Sequence, residues 1–159
     1  QASSSAASDV YKRQVSLCSM CALTAISSSS GIILNIPTLI GLCLFAVGFT
    51  IEVIADHQKT VFRSDPENKN KFIKSGLWSK SRHPNYFGEI ILWFAIALVS
   101  FSSLKGTQYL TLISPIFTYL LLVYVSGVRM LEARGDMKWG NNEEYKKYKK
   151  ETPMLFFKI

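Results

Sequence analysis

Ser79-Lys80-Ser81-Arg82-His83-Pro84-Asn85-Tyr86-Phe87-Gly88-Glu89, followed at once by the apolar run Ile90 to Phe101, is the stretch that decides how this chain is read. Two cations (Lys80, Arg82), an imidazole (His83), a carboxamide (Asn85), a phenol (Tyr86) and a carboxylate (Glu89) crowd the mouth of a segment fit for hydrocarbon. Ionisable groups there are costly unless they are paired, hydrated or holding a ligand. The stretch is thus both a helix start and the first candidate site. Pro84 suits the first helical position, where its missing N–H loses no hydrogen bond, and Asn85 and Glu89 then share one face at i and i+4.

Outward from this point the chain alternates apolar blocks with basic connectors. Of its 159 residues, 48% are apolar, and 18 Lys and Arg stand against 11 Asp and Glu. That composition is high in apolar residues for a soluble domain. Pro37 to Ala55 carries a single charge, Glu52, and holds Gly41 and Gly48 where a neighbouring backbone could approach. Beyond it Glu52, Asp56, Lys59 or Thr60, and Arg63 recur every three or four residues and so share a helix face. Tyr109 to Gly127 is a further span, with a kink expected at Pro115. Val15 to Ile36 is a weaker one, diluted by serine and threonine. Trp78 is expected as an anchor at the membrane interface.

The expected fold is all-α, a polytopic membrane helix bundle of three to four spans with a cytoplasmic, amphipathic C-terminal helix. Residues 1–14 read as a non-native or disordered leader, so native residues upstream are expected to be missing. Residues 15–159 form the membrane domain, with spans at about 15–36, 37–55, 85–103 and 109–127 and a cytoplasmic tail, 128–159. Seven Lys or Arg lie between His57 and His83, which puts that loop in the cytoplasm. The tail, with Glu143 to Lys150 as its amphipathic part, then falls on the same side after two crossings.

Several chemistries drop out. The basic segments lack a nucleic-acid-binding motif, and flanking cations are what the positive-inside rule produces, so no nucleic-acid partner is expected. Cys18 and Cys21 form a C-x-x-C in an apolar segment with no preceding strand and no second ligand pair; with Cys43 they read as buried free thiols, and no metal is expected. A Ser-His-Asp arrangement, a P-loop and an H-E-x-x-H spacing are all missing. What remains is a set of helix ends converging on one membrane face: Glu52, Asp56 and Arg63; Arg82 to Glu89; then Arg129, Glu132, Lys138, Trp139, Tyr145 and Tyr148. Cations for phosphates, carboxylates for ribose or amide hydrogens and aromatic planes for stacking would suit a nucleotide-like cofactor. Edge salt bridges and snorkelling side chains would produce the same composition.

Gly48 to Lys59 (GFTIEVIADHQK), Ser75 to Glu89 (SGLWSKSRHPNYFGE), and Lys138-Trp139-Gly140 with Tyr145 and Tyr148 together resemble the steroid 5-alpha-reductase C-terminal family, nearest its S-R-H-P-N-Y-F-G-E membrane proteins. The resemblance runs from Pro37 to about Pro153. It implies a multi-pass integral membrane enzyme, in the endoplasmic reticulum if the source is eukaryotic. Such an enzyme uses NADPH to reduce an activated carbon-carbon double bond in a steroid-like or other lipid substrate. By motif match it implies cofactor binding by Asp56 and Arg63, by Asn85, Tyr86 and Glu89 toward the nicotinamide and ribose, and by Tyr145 near the adenosine phosphates. Arg82 and His83 match the related sterol reductases. They also match isoprenylcysteine carboxyl methyltransferases, whose R-H-P-x-Y-x-G serves S-adenosylmethionine, so methyl transfer is the alternative chemistry and a non-catalytic membrane fragment the alternative to both. The family's substrate-polarising Tyr and Glu have no match here, which leaves the catalytic residues and the substrate unassigned. Nothing in the sequence fixes an oligomeric state.

Overall fold

The computed structural model describes residues 33–125 and 127–158, and every regular element among them is helical. The expected first span, with Cys18 and Cys21, lies almost wholly outside the described residues.

Helix α1 spans Ile36–Ser64 and α2 spans Pro84–Phe101. Asn35 starts α1 by accepting the Thr38 N–H on its side-chain oxygen at 3.1 Å, and Pro37 sits in the first turn. The large apolar side chains of α1, among them Leu39, Ile40, Leu42, Phe45, Val47 and Phe49, are exposed, while its buried positions are Thr38, Gly41, Gly48 and Ala55. That inverts the pattern of a water-soluble helix and suits one whose solvent is hydrocarbon. Cys43 is a free thiol on this exposed surface, contrary to its expected burial, because the neighbouring helix packs on the glycine face instead.

The α1–α2 pair is antiparallel: Gly41 meets Ala95 and Val99, and Gly48 meets Gly88 and Leu92. A Cβ on Gly48 would lie 2.8 Å from the Gly88 oxygen, and one on Gly88 would lie 2.7 Å from the Gly48 oxygen and the Glu52 nitrogen. The backbones touch because neither residue has a side chain. At 1.5 Å per residue α1 is about 43 Å long against a hydrocarbon core of about 30 Å, so it exceeds an upright crossing, and its charged Asp56-to-Arg63 end is the part that suits water.

The connector to α2 folds back on that end. Asp65 caps a short 3₁₀ turn, Pro66–Asn68. Gly76, with φ +59°, turns tightly over Gln58, whose Oε1 accepts the Leu77 N–H at 3.0 Å. Trp78 then plugs the α1 side: it is only 5% exposed and donates its indole N–H to the Ala55 carbonyl at 3.1 Å. It is therefore a core residue and not the expected interfacial anchor, because its one polar atom finds a protein partner.

After α2, a 3₁₀ segment (Gly106–Leu112), α3 (Ile113–Leu120) and a π-helical stretch (Leu121–Val125) lead to α4, Val128–Trp139. Pro115 lies in the first turn of α3, just after the change from 3₁₀ to α-helix, and a further irregularity follows at Leu121–Val125. Helices α1, α2 and the 106–139 stretch are each long and apolar enough to cross a membrane. Helix α5, Glu143–Glu151, is capped by Asn142 and places Glu143 and Glu144 in its first turn and Lys149 and Lys150 in its last, matching its dipole.

The last residues strap the segment before α2. Arg82 N–H donates to the Pro153 carbonyl at 2.9 Å, the Ser81 hydroxyl to Leu155 O at 2.9 Å, and Lys158 N–H to Lys80 O at 2.8 Å. Leu155 is buried beneath the strap, while Phe156 and Phe157 ring-pack on Phe87.

Candidate cofactor cleft

The overhanging end of α1, the connector, and helices α4 and α5 enclose a cleft of about 380 Å³. Six cations line it: Lys59, Arg63, Lys69, Lys71, Arg82 and Lys138. Its walls are aromatic, with Phe62, Phe72, Trp78, Trp139, Tyr145 and Tyr148, and its one carboxylate is Glu132.

Phe72 is the centre of the aromatic wall. Its ring lies 5.1 Å from Tyr145, 5.4 Å from Tyr148 and 6.0 Å from Trp139. Trp139 is held by donating to Asn70 O at 2.7 Å, and Tyr148 by donating to Trp78 O at 2.6 Å. Gly135 leaves room for the Tyr145 hydroxyl, which a Cβ there would strike. Burial pushes the phenols of Tyr145 and Tyr148 above their usual range, and Glu132 adds to the effect. Both tyrosines therefore present a neutral O–H at any physiological pH.

The cations divide into two kinds. Arg82 pairs with Glu132, which also meets His83 Nε2 at 2.8 Å and Lys149 at 3.2 Å; Lys149 reaches Asp136 at 2.6 Å. Burial works against the Lys149 charge, but its hydrogen bonds to Asp136 and Glu132 win and raise its pKa. Lys59, Arg63, Lys69, Lys71 and Lys138 have no carboxylate within ion-pair distance among the described residues. Lys59 instead lies over the Trp78 ring, 5.2 Å from its centroid. Unneutralised cations gathered on one concave surface make a site for an anion.

The sequence-predicted residues separate into two neighbouring groups. Arg63, Arg82, His83 and Tyr145 line the cleft. Asp56, Tyr86 and Glu89 do not; with Glu52 they lie close enough to interact electrostatically across the α1–α2 contact, with Glu89 buried and Asp56 exposed. The groups meet where the His83 and Tyr86 rings stack, 5.9 Å apart. Asn85 lines neither; its Oδ1 is buried and accepts no hydrogen bond among the described residues. Phe72 carried no signal, being one aromatic in a lysine-rich loop. Glu132 was visible only as one of several charges at the helix ends.

The fold and cleft define a class: an all-helical membrane protein with a cationic, aromatic-walled site at one end of its bundle. The chain belongs to the family described as "Protein of unknown function (DUF1295)", which it matches over residues 3–152. It is similar to 3-oxo-5-alpha-steroid 4-dehydrogenase 1 of Homo sapiens, 31% identical over 121 residues, covering 74% of this chain and 42% of that one. It is also similar to steroid 5-alpha-reductase DET2 of Gossypium hirsutum, 36% identical over 64 residues (40% of this chain, 25% of the relative). A third relative is the "Probable O-methyltransferase ustE" of Ustilaginoidea virens, 38% identical over 90 residues, 55% of this chain and 32% of the relative. The expected resemblance to steroid 5-alpha-reductases is thus shown. The chain spans less than half the length of these relatives. No solved structure matches it.

Proposed function

We propose that this chain is the cofactor-binding part of an integral membrane reductase that holds NADPH at the cytoplasmic helix ends and saturates a carbon-carbon double bond in a steroid-like or other lipid enone. The observation that carries the reading is the convergence of Lys59, Arg63, Lys69 and Lys71, none ion-paired among the described residues, with Phe72, Trp139, Tyr145 and Tyr148 on one cleft. Guanidinium and ammonium groups match phosphate oxygens, and aromatic faces match a purine. The residues present fit such a cofactor also at Asn85, whose buried, unsatisfied Oδ1 suits an amide N–H. Bound NADPH would supply the hydride. Arg63 and its neighbouring lysines would hold the phosphates, Tyr145 and Phe72 the adenosine end, and Asn85, Tyr86 and Glu89 the nicotinamide and ribose end. Asp56, at the edge of that second group, would reach a ribose hydroxyl. The 3-oxo-steroid dehydrogenases among its relatives support an oxidoreductase acting on a CH–CH group.

One observation favours a second reading, transfer of a methyl group from S-adenosylmethionine: the similarity to the methyltransferase-named relative. Charge argues against it. S-adenosylmethionine carries one carboxylate beside an ammonium and a sulfonium, a poor match for a cluster of unpaired cations, whereas NADPH carries several phosphate charges. Calorimetric titration of the full chain in detergent with each compound separates the two. Saturable binding of NADPH alone supports the reductase; saturable binding of S-adenosylmethionine alone replaces it.

A further inference from the structure

We propose that Glu132 on α4 is the positioning residue of this cleft, orienting Arg82 and His83 toward the ligand. Those two residues sit in the turn before α2, where His83 has φ −137° and ψ 61°, outside both helix and strand, so regular backbone geometry does not aim their side chains. Their backbones are fixed by the C-terminal strap, through Arg82 N–H to Pro153 O and His83 N–H to the Ser81 hydroxyl, which itself donates to Leu155 O. Their side chains are fixed by Glu132, their one hydrogen-bond partner among the described residues. One carboxylate oxygen takes Arg82 and Lys149, and the other meets His83 Nε2 at 2.8 Å.

Glu132 lies at 18% exposure with Arg82 at 13% and His83 at 8%, so the cluster is shielded enough for its geometry to be rigid and for an unpaired member to be costly. A carboxylate has the wrong sign to touch a phosphate. Its place in an otherwise cationic cleft is accounted for by what it holds. The Arg82 Nε is buried and without a hydrogen-bond partner among the described residues, so Glu132 engages only part of the guanidinium's donor set. Glu132 thereby ties three segments together: the turn before α2, helix α4 and, through Lys149, helix α5.

This rests on the reading of the cleft as a cofactor site, and the test separates the two. The chain holds two histidines, His57 and His83, so imidazole nitrogen NMR of the full chain in detergent reports each. Glu132→Gln shifts the His83 ring signals and leaves those of His57 in place. It weakens NADPH binding about tenfold, and adding it to an Arg82→Gln/His83→Gln background costs nothing further, since one residue acting through others is non-additive with them. Glu132→Asp, which keeps the charge, retains most of the affinity and covers the case in which the neutral variant does not fold. His83 signals unmoved by Glu132→Gln overturn the proposal, as do unchanged NADPH affinity or an equal loss in both backgrounds. If the unsubstituted chain binds no NADPH, the cofactor reading falls, and Glu132 is judged by the His83 signals alone.

Discussion

The indole of Trp78 donates to the carbonyl of Ala55, 3.1 Å away, across the junction between the connector and α1, and both residues are buried. The bond fastens the floor of the cleft to the membrane helix. Trp78→Phe keeps most of the ring and loses the donor, so it is expected to cost about 1–2 kcal/mol. Trp78→Ala also opens a cavity and is expected to cost about 3–5 kcal/mol. Thermal unfolding in detergent measures both. Equal losses for the two would mean that the hydrogen bond alone matters here, and no loss in Trp78→Phe that packing alone does.

Gly48 and Gly88 bring the backbones of α1 and α2 into contact, with room for no Cβ on either. Gly88→Ala is expected to destabilise the pair by about 1–3 kcal/mol, and Gly88→Val by more, because backbone atoms cannot swing aside as a side chain would. Gly106→Ala is the comparison. It meets nothing within 4 Å, though φ +53° makes the substitution strained, so its cost should stay near about 1 kcal/mol. Gly88→Ala proving no more harmful than Gly106→Ala would contradict the packing described.

Tyr145 and Tyr148 have pKa values raised above the ordinary phenol value of 10.0, in the first place by burial. A group with a raised native pKa holds its proton longer folded than unfolded. Its stabilisation is complete below pH 10 and is lost as pH rises from there through the folded-state values. Stability is therefore expected to be insensitive to these phenols up to about pH 10 and to fall above it. Tyr148→Phe should flatten that fall while lowering stability at neutral pH by about 1 kcal/mol, from the lost bond to Trp78 O. Chemical denaturation across an alkaline pH series checks both.

Asn85 carries a buried acceptor that the described protein leaves unsatisfied. Removing such an atom costs the folded state little, so Asn85→Ala is expected to leave stability within about 1 kcal/mol of the parent. If a ligand amide fills the gap, the same change should weaken NADPH binding about tenfold. Stability is read by thermal unfolding and affinity by calorimetry. A large loss of stability with unchanged affinity would make Asn85 a structural residue.

Much of this architecture is legible in the sequence because hydrocarbon imposes a simple rule on it. Apolar runs bounded by lysine and arginine locate α1 and α2, Pro37 and Pro84 mark their starts, and the small residues of α1 mark its packing face. The third span is less legible, since its 3₁₀, α and π segments share one composition and differ only in backbone geometry. Trp78 misleads because an interfacial tryptophan and a buried one look alike until the indole N–H is seen to meet Ala55. For the site, the motif residues were visible, yet their division was not. Arg82 and His83 turn toward Glu132 and the cleft, while Tyr86 and Glu89 face the α1–α2 contact, although the pairs are near neighbours in sequence. Phe72 was illegible because only the fold of the connector brings it against Tyr145 and Tyr148.

The role proposed for the cationic, aromatic-walled cleft is to hold NADPH. Titration of NADPH into the full chain, Arg63→Ala and Lys105→Ala at low and moderate salt tests it most directly. Arg63 lines the cleft, whereas Lys105 caps the 3₁₀ segment that follows α2. Binding is expected to be saturable, to weaken with salt, to fall about tenfold in Arg63→Ala and to be unchanged in Lys105→Ala. Absence of saturable binding, or the same isotherm for Arg63→Ala as for the parent, would contradict it.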